Sequence, residues 1–229
     1  MNDIFLTDKC VLLIYPNGAS GKFLLNALSL NSAFVYQNID AVLNDTPEQR
    51  FKKLIEAISN FKASNNTGWN DLLMGDLQFF GVSNFIDNNY DNASQYQEQL
   101  LKNKLHAKCL QHFIKNEKYF FRTCHYEQAY LFYRNVWPNC QQVLFYNCER
   151  WINTRNSGGS NYMPKKEVNK DVIFGTYFDF DAMSFASKEQ FISEYASLLL
   201  DFNLQLENEH LVALLYDAYT DLYFNRKYI

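Results

Sequence analysis

Residues Cys10 to Tyr15 (CVLLIY) form an unbroken apolar run with no polar alternation, and this limits what the chain can fold into. A strand that alternates apolar and polar residues can lie on a surface. One that is apolar at every position must be covered on both faces, as in a parallel sheet flanked by helices. The run ends at Pro16-Asn17-Gly18-Ala19-Ser20-Gly21, and Lys22 to Leu30 (KFLLNALSL) resumes with apolar residues at helical spacing. The order is strand, glycine turn, helix.

Further segments repeat this alternation. Tyr119 to Cys124 (YFFRTC), Gln142 to Tyr146 (QVLFY) and Val172 to Tyr177 (VIFGTY) read as strands, with Ala33 to Gln37 as a second short one. Thr46-Pro47-Glu48-Gln49 carries an N-cap and a first-turn proline that open a helix toward Lys62. Helices are also predicted over Gln97 to Asn116, Glu127 to Val136, Asn147 to Thr154, Lys188 to Leu200 and Glu207 to Phe224. Together these predict a three-layer α/β fold, a mostly parallel sheet between helices, in a single domain over 1–229. With 48% hydrophobic residues, including 20 Phe and 16 Tyr, the chain can fill such a core and does not fit intrinsic disorder. Ala63 to Tyr96 is polar and Asn-rich with one short apolar element around Leu77 to Phe80, and Arg155 to Lys170 reads as a basic surface loop. Neither carries a pattern that assigns it a role.

Charge and patterning exclude several function classes. The net charge of −4 provides no global basic field for a nucleic-acid backbone, although a local anion site is compatible with it. No apolar run approaches the ~20 residues that span a bilayer, and Met1 to Lys9 lacks the features of a secretion signal. Cys10, Cys109, Cys124, Cys140 and Cys148 are odd in number and without CxxC spacing, which suits a reducing cytoplasm.

The glycine turn is the leading candidate site. At the N-terminus of a helix that follows a core strand, unpaired N–H groups and the helix dipole favour an anion. Gly18 and Gly21 would let backbone approach phosphate oxygens, and Lys22 would supply a mobile cation. Against the phosphate-loop pattern G-x-x-x-x-G-K-[ST], Pro16 replaces the first glycine and Phe23 replaces the hydroxyl residue that holds Mg²⁺. That substitution favours metal-free anion chemistry over nucleotide hydrolysis. The alternative is a plain glycine turn with Lys22 as an exposed first-turn residue.

Tyr15-Pro16 followed by Ser20-Gly21-Lys22-Phe23-Leu24-Leu25 resembles the phosphosulfate loop of PAPS-dependent sulfotransferases, P-K-S-G-T-T-W-L, with Lys22 and Phe23 in place of the two threonines. Tyr119 to His125 (YFFRTCH) resembles the family's strand ending in K-T-H. Gln142 to Arg155 (QVLFYNCERWINTR) resembles its I-Y-V-x-R-N-P-x-D-x-x-x-S segment, and Phe191 to Asn225 its closing helices. The family's C-terminal R-K-G-x-x-G loop has no counterpart.

The resemblance implies a P-loop-like sulfotransferase-type fold with PAPS as cofactor and no metal. The sulfuryl group would pass to a hydroxyl of a small molecule or glycan. It implies His125 as catalytic base, with Lys22 stabilising the leaving phosphosulfate oxygen. Asn17, Gly18, Ala19, Ser20, Gly21, Lys22 and Phe23 would contact the cofactor. Asn147 takes the place of the family's 3′-phosphate-binding Arg, and Arg155 that of its Ser, so Arg155 becomes the preferred cation.

Read from the residues alone, His125 could equally cap the helix starting near Tyr126, and Arg150, Arg155, Lys165 and Lys166 could be solvated surface cations. His106, Cys109 and His112 recur at three-residue steps, but the outer pair is rotated by about 240° on a helix and cannot share one face. Two alternatives to the transferase stay open: a divergent P-loop kinase for a nucleotide or small molecule, and a non-catalytic binding module that kept the fold.

Overall fold

In the computed structural model the described residues are 4–35, 46–64, 92–156 and 169–224. Four strands, β1 (Cys10–Ile14), β2 (Phe120–Cys124), β3 (Gln141–Tyr146) and β4 (Phe178–Asp181), pair in the order β2-β1-β3-β4. Each of these pairings is parallel, and β1 is central: Leu12 lies opposite Arg122 on one side and Gln142 on the other.

Every residue of β1 is buried, as the unbroken apolar run requires. Val11, Leu13 and the following Tyr15 point into one core, and Cys10, Leu12 and Ile14 into the other. The first core is covered by α1 (Gly21–Leu28), α2 (Pro47–Ser64), α6 (Cys148–Asn156), α7 (Lys188–Asp201) and α8 (Glu209–Phe224). The second is covered by α3 (Ala93–Lys102), α4 (Lys104–Lys115) and α5 (Glu127–Val136). The architecture is therefore a parallel sheet between two helical layers. No helix of the described residues is long and apolar enough to cross a membrane.

Local chemistry sets the element ends. Thr46 and Gln49 form a capping box: Gln49 N–H donates to Thr46 Oγ1 at 3.3 Å, and Thr46 N–H donates to Gln49 Oε1 at 2.8 Å. The predicted helix from Gln97 to Asn116 is two helices. Asn103 adopts an extended conformation and its Oδ1 accepts from His106 N–H at 3.2 Å, so its side chain caps the second helix instead of continuing the first. The strand predicted over Val172 to Tyr177 lies further on. Lys170–Val172 is a 3₁₀ turn, Gly175 is left-handed at φ 83°, and Gln142 Nε2 donates to the carbonyls of Phe174 and Thr176. Those carbonyls are thus bound by a side chain, and pairing begins at Phe178. There Phe180 is buried while Asp179 is exposed, a charge that blunts the edge strand. Of the short strand expected over Ala33 to Gln37, one bridge, Phe34 to Tyr119, falls within the described residues.

Among the described residues, Arg122 is the one strand cation, and the sheet buries it. Its Nη2 donates to Tyr96 OH at 2.9 Å, and its guanidinium lies 5.3 Å from the ring centres of Tyr133 and Trp137. Arg50 is buried as well. Its Nη1 donates to the carbonyls of Ser29 at 2.7 Å and Phe34 at 2.8 Å, tying α2 to the chain leaving α1. Replacing Arg50 with Met leaves both carbonyls buried without that donor. The expected loss is about 3 kcal/mol of unfolding free energy, read from denaturant titration.

Candidate functional site

Parallel strands deliver their following loops to one edge, and four candidate positions gather there: the Pro16 to Lys22 turn after β1, His125 after β2, Asn147 after β3, and Asp181 at the end of β4. From β1 the chain runs to α1 on the first face, whereas from β2 it runs to α5 on the opposite face. Neighbouring strands whose connections diverge in this way leave a crevice between their C-terminal ends. The glycine turn and His125 lie at that position, with the buried Tyr15 ring packed against both.

The turn has an alternating backbone. Gly18 (φ 92°) and Ser20 (φ 64°) are left-handed on either side of Ala19, an alternation that turns successive N–H groups toward one side. Ala19 N–H donates to the Pro16 carbonyl at 3.2 Å, and Phe23 N–H to the Ser20 carbonyl at 2.9 Å. Gly21 and Lys22 open α1, so their N–H groups have no acceptor within the helix, and the Ser20 side chain does not cap them. Asn17, Gly18 and Lys22 are partly exposed, whereas Ala19, Ser20, Gly21 and Phe23 are buried. A left-handed serine costs roughly 1–2 kcal/mol. Two hydrogen bonds accepted by its Oγ offset this, one from Tyr219 OH at 2.7 Å and one from Trp151 Nε1 at 3.1 Å.

Phe23, in the position where phosphate loops carry a hydroxyl, lies in the first core with its ring stacked on Tyr219 at 4.2 Å. It is structural and turned away from the crevice. Tyr15 also approaches the turn. A Cβ placed on Gly21 would fall within van der Waals radius of the Tyr15 ring, so Gly21 is required by the phenol packed on it. The same ring meets His125 edge-on at 4.8 Å and Phe145 at 5.1 Å.

His125 is half-buried, and its Nδ1 lies 3.2 Å from the Tyr15 carbonyl. A neutral imidazole donating there carries its lone pair on Nε2, the form a general base needs. Tyr15 N–H in turn donates to the Cys124 carbonyl at 3.0 Å, so backbone bonds on both strands fix the imidazole beside the turn.

The β3–β4 side of the edge has the opposite electrostatic character. Asn147, exposed and left-handed at φ 56°, donates through Nδ2 to Asp181 Oδ1 at 3.0 Å. That carboxylate oxygen also accepts from Met183 N–H at 2.9 Å, while Asp181 N–H donates to Glu194 Oε1 at 2.8 Å. Burial pushes the Tyr146 phenol above its ordinary value, and the carboxylates of Asp181, Glu194 and Asp179 add to the shift. Asn147 is thus bound to a carboxylate, and the nearby cation, Lys170, pairs with Asp179 at 3.9 Å. Arg150 is exposed on α6. Arg155 falls on the last turn of α6 with its side chain outside the described residues, as are Lys165 and Lys166.

Among the described residues no three His, Cys, Asp or Glu side chains gather as a metal would need. Comparison with known protein families, characterised proteins and solved structures finds no match to this chain.

Sequence reading reached the turn and His125 because both follow apolar strand signals. The contribution of Tyr15, Trp151 and Tyr219 was not legible, since aromatic residues in strands and helices read as core. Gly21 lies in a helix and has an ordinary φ, so alanine there would normally be favourable. Because of the Tyr15 ring, Gly21→Ala is expected to destabilise by about 2 kcal/mol in denaturant unfolding. The penalty should shrink when combined with Tyr15→Ala; a stabilising Gly21→Ala would refute the packing constraint.

Proposed function

We propose that the chain is a sulfotransferase-type α/β protein that binds the phosphosulfate end of PAPS at the Gly18 to Lys22 turn. It passes the sulfuryl group to a hydroxyl of a small molecule or glycan. The observation carrying this reading is the adjacency of the β1 and β2 strand ends, which brings the uncapped N–H groups of Gly21 and Lys22 near the imidazole of His125.

The turn fits an anion. Its left-handed residues and first-turn N–H groups provide the donors, and the Lys22 ammonium, partly exposed, provides charge. PAPS supplies a sulfuryl group on an anhydride whose departing phosphate oxygen accumulates negative charge. Lys22 and the turn N–H groups stabilise that charge, and His125 Nε2 accepts the acceptor hydroxyl's proton. The Tyr15 carbonyl steadies the imidazolium through Nδ1–H. The 3′-phosphate does not fit at Asn147, whose amide is bound to Asp181, so its grip falls to Arg155. Phe23 offers no oxygen for a metal bridging two phosphates, which supports sulfuryl transfer over a kinase. All five cysteines are free thiols, in keeping with a cytoplasmic setting.

A second reading, a non-catalytic binding module that kept the fold, draws support from the Asn147–Asp181 bond, since a carboxylate occupies the partner that a phosphate would need.

Titration calorimetry with 3′-phosphoadenosine 5′-phosphate in EDTA, paired with a transfer assay that supplies PAPS and a hydroxyl acceptor, separates these readings. Metal-free binding with sulfuryl transfer supports the transferase, no response to any nucleotide supports the module, and Mg²⁺-dependent ATP consumption supports the kinase. Under the first reading His125→Ala abolishes transfer and leaves nucleotide binding intact; undiminished transfer would remove His125 from the mechanism. Arg155→Glu should weaken 3′-phosphorylated adenosine compounds roughly tenfold and leave plain adenosine 5′-phosphates unaffected.

A further inference from the structure

A serine directly before a helix ordinarily sits in an extended conformation and folds back, so that its Oγ accepts the N–H of the second or third helical residue. This chain does so elsewhere: Ser187 is extended, and its Oγ accepts from Gln190 N–H at 3.2 Å. Ser20 does not. It is left-handed, at φ 64° and ψ 17°; its carbonyl accepts from Phe23 and Leu24 N–H, but its side chain makes no bond to its own helix. Its hydroxyl is turned inward and accepts from Tyr219 OH at 2.7 Å and Trp151 Nε1 at 3.1 Å. Both donors are almost fully buried, at 2% and 1% exposure, and they come from α8 and α6, far along the chain.

We propose that Tyr219 and Trp151 are positioning residues that keep the first turn of α1 available to an anion by withholding the Ser20 hydroxyl from it. The inference rests on the anion-binding reading for its ligand, and on the Ser20 geometry for its device. If the inward bonds were released, Ser20 would return to the extended region and its Oγ would accept Lys22 N–H. That is the group an anion at the turn requires. The two distant donors therefore decide whether the helix caps itself or presents its donors to a ligand. Tyr219 carries more than this bond, because Phe23 stacks on its ring at 4.2 Å. A phenylalanine at 219 keeps that ring and removes only the hydroxyl.

The experiment compares wild type, Tyr219→Phe, Ser20→Gly and the double variant. Glycine has no hydroxyl and accepts a positive φ without strain, so Ser20→Gly holds the turn open with no donor needed. The first readout is exchange of the Lys22 amide by NMR in nucleotide-free protein. It is expected to slow roughly fivefold in Tyr219→Phe, the protection a serine cap provides. The second is affinity for 3′-phosphoadenosine 5′-phosphate, expected to weaken by a similar factor. In the Ser20→Gly background Tyr219→Phe should change neither readout. A merely structural Tyr219 would lower the unfolding midpoint and cost the same affinity with or without the Ser20 hydroxyl. Trp151→Phe makes the same comparison through the other donor. Unchanged Lys22 exchange in Tyr219→Phe, or an equal affinity loss in the Ser20→Gly background, overturns the proposal. Failure of wild type to bind the nucleotide overturns the anion reading of the turn alone, and the exchange measurement still decides the role of Tyr219.

Discussion

Burial of β1 on both faces organises the rest of the molecule. Val11, Leu13 and Tyr15 require one helical layer, and Cys10, Leu12 and Ile14 require another, so the strand can be satisfied only at the centre of a sheet. From this follow β2 and β3 on its two sides, and the placement of every strand's outgoing loop at one edge. The chain leaves β1 and β2 toward opposite faces, so those loops separate, with the Tyr15 ring packed against Gly21 and His125.

The same strand also constrains the turn it feeds. Tyr15 continues the alternation of β1 into the first core, and its ring packs on Gly21, beside His125 and against Phe145. Its carbonyl, on the other side of the backbone, meets the imidazole of His125. One residue thereby explains both the glycine in the turn and the orientation of the histidine. The turn is thus not a loose loop near a core. Ala19 to Gly21 and Phe23 are buried in the core, and Asn17, Gly18 and Lys22 are partly exposed.

The edge of the sheet divides electrostatically. Around β1 and β2 it presents backbone donors, Lys22 and an imidazole. Around β3 and β4 it presents Asp181 and Glu194, with Asn147 bound to Asp181 and Asp179 ion-paired to Lys170 at 3.9 Å. A ligand with two anionic ends would meet attraction at one and repulsion at the other, unless α6 contributes a cation from its last turn. This asymmetry separates the chain from a sulfotransferase pattern in which both ends are gripped by cations.

The strand–turn–helix opening, the N-cap at Thr46 and the two closing helices were legible along the sequence, because each depends on neighbours within a few residues, and the alternation of strands and helices implied the parallel layered fold. The break at Asn103 and the shift of the last strand to Phe178 were not. Each depends on a side chain choosing between competing backbone partners, Asn103 with His106 N–H and Gln142 with the carbonyls of Phe174 and Thr176. In the site, sequence alone located the glycine turn and the histidine. Tertiary structure alone decided that the Ser20 hydroxyl points inward, that Phe23 is core and that Asn147 is bound to Asp181. Those outcomes are set by contacts between segments far apart in the chain, and periodicity and spacing carry no information about such contacts.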